Sequence, residues 1–301
     1  MRPGKINTPA LTPGPGRLAR RRSALIGGAL ALLFLGALAG CSRGGNSTAT
    51  QITVAGSTSV TPFAEQLAEE FMRQHRGQQV NIQGIGSSAG IQATQPGAAD
   101  IGMSSRALQT DELAELEPIV IALDALAVIV HPDNPVENLT LEQVRRVFAG
   151  EIANWRELGG PDAPITLVNR EAGSGTRGAF EELVMGKGGP PLSYRAIRQG
   201  SNGSVRAVVE GDPVAIGYIS LGVVSPQVRA LRIDGVEASA ANVSAGRYKL
   251  VRPFLFVTRR GGTPGPLATA YLEYVLGEEG QRSLAQAGLV PAPRKETRWK
   301  R

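Results

Sequence analysis

A single cysteine, Cys41, stands in this chain of 301 residues, so no intramolecular disulfide can brace it. The histidines number two, His75 and His131, and no His/Asp cluster has metal-ligand spacing, so no metal site is expected. No Gly-Lys-Ser or Gly-Lys-Thr follows a glycine turn, which removes the phosphate loop of nucleotide hydrolases. The apolar run 24–39 is too short and too rich in Gly and Ala for a comfortable membrane span. No internal repeat is present. Positive charge is scarce too, once it is located. The formal +6 belongs to residues 1–40 (Arg2, Lys5, Arg17, Arg20, Arg21 and Arg22), which contain no acid. With the basic tail 294–301 set aside, residues 41–293 carry a net −4. A sequence pI of 9.8 therefore gives no ground for expecting nucleic-acid binding, and any anion must be held by local donors.

The chain is long enough for one large domain or two medium ones, and 42% apolar with 19% charged residues is a globular composition. Residues 1–40 read as an export signal: a basic region ending in Arg20-Arg21-Arg22, then the apolar run. It closes on Leu38-Ala39-Gly40-Cys41, which resembles the lipobox of bacterial lipoproteins. That likeness implies cleavage before Cys41, lipidation of its thiol, and anchoring to the cell membrane on the extracytoplasmic side. Residues 41–50 form a polar Gly/Ser/Thr tether too poor in apolar groups to fold, and the body begins near Gln51.

The stretch that organises the body is Asn169-Arg170-Glu171-Ala172-Gly173-Ser174-Gly175-Thr176-Arg177. An apolar run predicts a strand over 164–168 before it, and a helix over 178–185 follows. A Gly/Ser/Thr turn between strand and helix exposes free N–H groups at the positive end of the helix dipole. Arg170 adds a planar cation that suits an oxyanion, so the expected cargo is a small tetrahedral anion. Two other junctions repeat the pattern. Residues 51–55 run into Gly56-Ser57-Thr58-Ser59-Val60-Thr61-Pro62, and 80–83 into Gly84-Ile85-Gly86-Ser87-Ser88-Ala89-Gly90. A fourth short strand ends in Ser104-Ser105-Arg106.

Along the rest of the chain, Phe63, Leu67 and Phe71 recur at helical spacing, with Pro62 in the first turn and a cap from Ser57, Thr58 or Ser59. A short helix is expected at Ile91 and another over 108–116 capped by Thr110. A doubly buried strand is expected over 120–130, interrupted by Asp124, then a helix over 141–149 and a short apolar element at 152–155. Further elements are a helix over 205–210, strands over 215–219 and 249–257, and a helical region containing Leu267, Tyr271, Val275 and Leu284. Strands alternating with helices indicate an α/β architecture.

Taken in order, residues 55–59, 84–90, 100–106, 169–177 and Ala215-Ile216-Gly217-Tyr218 resemble the phosphate-binding lipoproteins of phosphate ABC importers, over about 51–293. The resemblance implies a two-lobed periplasmic-binding-protein fold (type II-like), with inorganic phosphate in the cleft and delivery to a membrane permease. Lobe I would comprise 51–124 and 252–293 and lobe II 125–251, with hinge segments near 123–125 and 250–253. Carried over position by position, the phosphate ligands fall on Ser59 and the Val60 backbone, Ser87, Ser105, Arg170, Ser174, Gly175 and Thr176. Some relatives carry an aspartate at the place of Ser105, where it accepts the proton of hydrogen phosphate; Glu171 and Asp124 are the candidate replacements. Ala172 stands where relatives carry an acid that braces the arginine, a task Glu171 could take. No cofactor is expected, and the protein would be a monomer.

Three alternatives stay open: a receptor for another, sulfate-like oxyanion, a serine hydrolase, and a surface adhesion or signalling lipoprotein. Gly86-Ser87-Ser88-Ala89-Gly90 matches the G-x-S-x-G elbow, but His131, in a Pro-rich turn, is the one downstream base. His75 is expected at a helix end and Met72 and Met103 in the core. Arg177 is expected to brace the lobe interface or face solvent.

Overall fold

The structure, a computed structural model, describes residues 50–292. The export signal, Cys41 with its lipobox, the tether up to residue 49 and the basic tail lie outside the described residues.

The chain opens with β1 (Gln51–Gly56), α1 (Thr61–Gln74), β2 (Gln79–Gly84), α2 (Ser87–Thr94), β3 (Ile101–Ser104) and α3 (Thr110–Glu115). β1 lies between β2 and β3 and is parallel to both, which the intervening helices make possible. Phe63, Leu67 and Phe71 of α1 are buried as their spacing predicts, and His75 stacks on Phe71 at the helix end. Met103 is fully buried, whereas Met72 is partly buried against the same core. No side chain caps α1: Val60 occupies the cap position, and Thr61 Oγ1 donates to the Ser57 carbonyl. Ser59, a candidate cap, instead directs its hydroxyl across to Thr176. The cap of α3 is Gln109 in place of Thr110, with Glu112 closing the capping box.

The middle of the chain hangs on β4 (Leu116–Val130), which begins four residues earlier than its apolar run suggests. There follow β5 (Asn138–Leu139), α4 (Leu141–Ala149), a 3-10 turn (Trp155–Leu158), β6 (Thr166–Arg170) and α5 (Gly175–Phe180), which runs on as a π-helical turn (Glu181–Met185). Next come β7 (Ile197–Gln199), α6 (Asn202–Glu210), β8 (Ala215–Ser220), β9 (Arg229–Ala230), β10 (Arg232–Ile233) and α7 (Ala240–Ser244). The chain returns through β11 (Val251–Arg259), α8 (Pro266–Leu276), α9 (Glu278–Gln286) and β12 (Val290–Pro291).

One path of strands, β2-β1-β3-β11-β4-β8-β6-β7, crosses the whole body. β4 is long enough to serve both halves: Leu116 to Ala125 pair with β11, and Leu126 to Val130 pair with β8. The buried side chains divide at the same place. One cluster holds Ile52, Phe71, Ala122, Phe254 and Tyr271, and a second holds Ala125, Phe148, Phe180, Tyr218 and Leu250. Two cores joined by the antiparallel pair β4 and β11 make a two-lobed molecule whose lobes meet over the N-terminal ends of α1, α2, α5 and α6. In the second core Phe180 stacks on Tyr218 with centroids 3.9 Å apart, and Phe148 packs edge-on against both rings. That aromatic layer carries α5 and so fixes the loop before it.

Candidate functional site

Each junction marked in the sequence brings its polar residues to the line where the lobes meet. Ser59, Ser87, Ser105, Arg170, Ser174 and Thr176 are all buried, an unusual fate for hydroxyls and a guanidinium. Arg170 closes β6 and is not part of the loop, because the strand spans Thr166–Arg170 and not 164–168. The helix after it starts at Gly175, three residues before 178, with Ser174 as its cap; Ser174 Oγ accepts from Arg177 N at 3.3 Å and keeps its own proton to donate. Likewise α2 starts at Ser87, well before Ile91, and Gly86 caps it at φ +95°, a backbone conformation that suits glycine.

The two faces touch directly. Ser59 Oγ lies 2.6 Å from Thr176 Oγ1, and Arg170 Nη2 donates to Thr58 Oγ1 at 3.1 Å. Ser88 N donates to the Gly173 carbonyl at 3.2 Å. Ser87 Oγ lies 3.5 Å from Ser105 Oγ and accepts from Ser105 N at 3.3 Å. Both serines press on Gly175 so closely that a Cβ there would meet Ser87 Oγ at 2.2 Å and Ser105 Oγ at 2.8 Å. Val60 is buried beside Ser59, but its N–H turns back to the Ser57 carbonyl at 3.1 Å.

Arg170 is held on several sides. Its Nε and Nη2 donate to the two carboxylate oxygens of Glu171 at 3.0 and 2.9 Å, a forked pair that brings charge compensation to a buried cation. The same atoms donate to the carbonyls of Gln199 and Gly200, which precede α6. Glu171 is thus a brace for Arg170, and Asp124 is committed elsewhere, 2.9 Å from Arg252 in a fully buried pair. Burial pushes the Asp124 carboxyl up from its ordinary value, against the opposing pull of Arg252. Arg177 makes an i,i+4 pair with Glu181.

One site residue, Asn202, escapes the sequence reading, and Asn169, which opens the organising stretch, takes a role that reading does not assign. Asn202 is buried at the start of α6, donating from Nδ2 to Ser59 Oγ at 2.6 Å and accepting from Arg170 Nη1 at 3.4 Å. Its signal was present in Gly200-Ser201-Asn202-Gly203-Ser204, a further hydroxyl-rich entry into a helix, which begins at Asn202 and not at Val205. Asn169 Oδ1 accepts from the Tyr218 hydroxyl and from Arg170 N, which ties the strand carrying the arginine to β8. Burial raises the Tyr218 pKa, so the phenol stays protonated and can only donate to that oxygen as it does.

Chemically this is a dehydrated nest of neutral donors around one buried guanidinium. The hydrogen-bond partners of Ser87 Oγ are groups of Ser105, while His131 Nδ1 accepts from Asp133 N within its own turn. Among the described residues no group of three or more His, Cys, Asp or Glu could hold a metal ion, and no helix is long and apolar enough to cross a membrane.

Comparison with known proteins gives concordant results. The profile of the PBP superfamily domain matches residues 42–279. The phosphate-binding protein PstS of Bacillus subtilis is 32% identical over 254 residues, covering 83% of each chain. A substrate-binding protein from Clostridium perfringens, assigned to a phosphate ABC transporter and solved with bound phosphate, superposes with a TM-score of 0.77 at 41% identity; the match covers 81% of this chain and 100% of that one. An ABC-type phosphate transport receptor from Vibrio cholerae gives 0.68 at 34% identity, covering 80% and 100%.

Proposed function

Because this chain belongs to the PstS family of phosphate-binding proteins, we propose that it captures inorganic phosphate outside the cytoplasm and delivers it to the permease of an ABC importer. The observation that carries the assignment is the convergence of Ser59, Ser87, Ser105, Ser174 and Thr176 from both lobes beside the buried Arg170. Phosphate oxygens are held by these hydroxyls, by the N–H groups of Gly175 and Thr176 at the start of α5, and by the Val60 N–H shared with the Ser57 carbonyl. Arg170 supplies the one full positive charge aimed at the anion. Ser105 and Asn202 Oδ1 serve as acceptors for the proton that phosphate retains at neutral pH and sulfate lacks.

Binding is a hinge closure. Lobe I, 51–124 with 252–293, and lobe II, 125–251, turn about the segments at 123–125 and 250–253, where β4 changes partners. Closure exchanges the hydration shell of the anion for fixed donors, and the closed shape is what the permease recognises. No bond is made or broken. A lipid on Cys41 keeps the monomer near the membrane.

Arg170→Ala tests the assignment. Loss of a hydrogen-bonded charge is worth about 1.5–3 kcal/mol, so phosphate affinity measured by calorimetry should fall by at least about tenfold. Unchanged affinity would show that phosphate binds elsewhere.

A further inference from the structure

The antiparallel pair that joins the lobes contains one feature that the anion site does not use directly. Arg252 of β11 and Asp124 of β4 face each other in register, both completely enclosed, 2.9 Å apart through Arg252 Nη2 and bonded through Arg252 Nε at 2.9 Å. The pair sits one residue before the point where β4 leaves β11 for β8. Each partner also reaches into a different lobe. Asp124 Oδ1 accepts from Ser220 Oγ at 2.8 Å, at the end of β8, and Arg252 Nη1 donates to the Ser105 carbonyl at 3.4 Å.

A buried ion pair is weak evidence for stability, because two apolar residues of like volume often serve as well or better. Its other contacts are therefore the informative part. Arg252 Nη2, though close to the carboxylate, lies at an angle that forms no hydrogen bond, and it is a fully buried donor without a partner. The Ser105 carbonyl that Arg252 Nη1 supports belongs to the residue whose N–H and hydroxyl meet Ser87.

We propose that Arg252 is a positioning residue for anion binding: held by Asp124 on the hinge, it sets Ser105 against Ser87 and makes the geometry of the site depend on the geometry of the hinge. This rests on Ser105 belonging to the phosphate site. Lobe rotation that bends β4 against β11 shifts Arg252 relative to Asp124, and the Ser105 backbone follows. The site is then assembled when the hinge is in its closed arrangement.

The test is a double-mutant cycle on phosphate affinity in the full-length chain. Arg252→Gln is made with Asp124→Asn so that no charge is left unpaired, and the pair of substitutions is measured with Ser105 intact and with Ser105→Ala. With Ser105 present, the paired change should weaken phosphate binding about tenfold, the loss equivalent to about 1.4 kcal/mol. In the Ser105→Ala background it should weaken binding no more than about twofold, because residues acting through one another are non-additive. Equal losses in both backgrounds, or no loss in either, would overturn the proposal while leaving Ser105 in the site. A Ser105→Ala chain that binds phosphate as tightly as the parent would instead remove Ser105 from the site, and the proposal with it. If the neutral pair fails to fold, Arg252→Lys, which keeps the charge and loses the Nη1 donor to the Ser105 carbonyl, enters the same cycle with the same expected pattern.

Discussion

Gly175→Ala separates closure of the lobes from folding of the lobes. Gly175 opens α5 and is not among the glycines with positive φ, so an alanine meets no backbone strain there. Within its own lobe the change should be neutral or stabilising by about 0.4–1 kcal/mol, since alanine has fewer unfolded conformations to lose. Across the cleft the situation reverses. The new Cβ would lie 2.9 Å from Ser87 Cβ as well as 2.2 Å from its Oγ, so rotating the hydroxyl does not clear the overlap. Restoring ordinary contact requires the lobes to part by about 1 Å, a shift that also stretches the 2.6 Å Ser59–Thr176 and Asn202–Ser59 bonds. Overpacking of this kind costs about 1–3 kcal/mol, which is roughly a 5- to 150-fold loss of phosphate affinity. Calorimetry should record that loss, while the melting temperature of the ligand-free protein stays level or rises. Wild-type affinity would refute the closure geometry. An affinity loss accompanied by an equal collapse of the ligand-free melting temperature would show that Gly175 matters for folding and not for closure.

Other expectations follow from single contacts. Asn202→Ala removes the bond to Ser59 from a buried site and should weaken phosphate binding by about 1–2 kcal/mol in titration, with the fold retained by circular dichroism. Glu171→Gln removes the forked partner of Arg170 and should lower phosphate affinity less than Arg170→Ala does, because the guanidinium keeps the Gln199 and Gly200 carbonyls. Burial raises the Glu112 carboxyl, but the Arg106 fork and the Gln109 N–H outweigh it and hold the group below its ordinary value of 4.5. A carboxylate depressed on folding stabilises the protein fully above the unfolded value and loses that contribution as pH falls through the folded one. The stability gap between the parent and Glu112→Gln, measured by urea unfolding, should therefore be widest near neutrality and shrink as pH drops below about 4.5.

Much of this was legible in the residues because apolar spacing and Gly/Ser/Thr turns are local signals. The α1 helix shows in apolar spacing, the 141–149 helix is read correctly, most of β4 shows in a continuous apolar run, and the hydroxyl-rich turns mark where the lobes meet. Helix starts were harder. Both α5 and α6 begin with a turn of Gly, Ser, Thr or Asn that carries no apolar residue, so periodicity first detects them at 178 and Val205, although the backbone has already turned helical at Gly175 and Asn202. The turns of Asn202 and Ser174 each follow an arginine by four residues (Arg198 and Arg170), so what separates them is the apolar strand run, clear over 164–168 and absent before Arg198. The brace role of Glu171 is legible because its arginine is adjacent in sequence, whereas the task of Asp124 depends on which distant guanidinium the fold brings near. That guanidinium is Arg252, 128 positions away.

The most direct test is a calorimetric titration of the ligand-stripped protein with phosphate and then sulfate at neutral pH. Saturable one-to-one phosphate binding, with sulfate bound far more weakly, is the outcome expected of a cleft that supplies both donors and proton acceptors. Failure to bind phosphate, or equal affinity for the two anions, would contradict it.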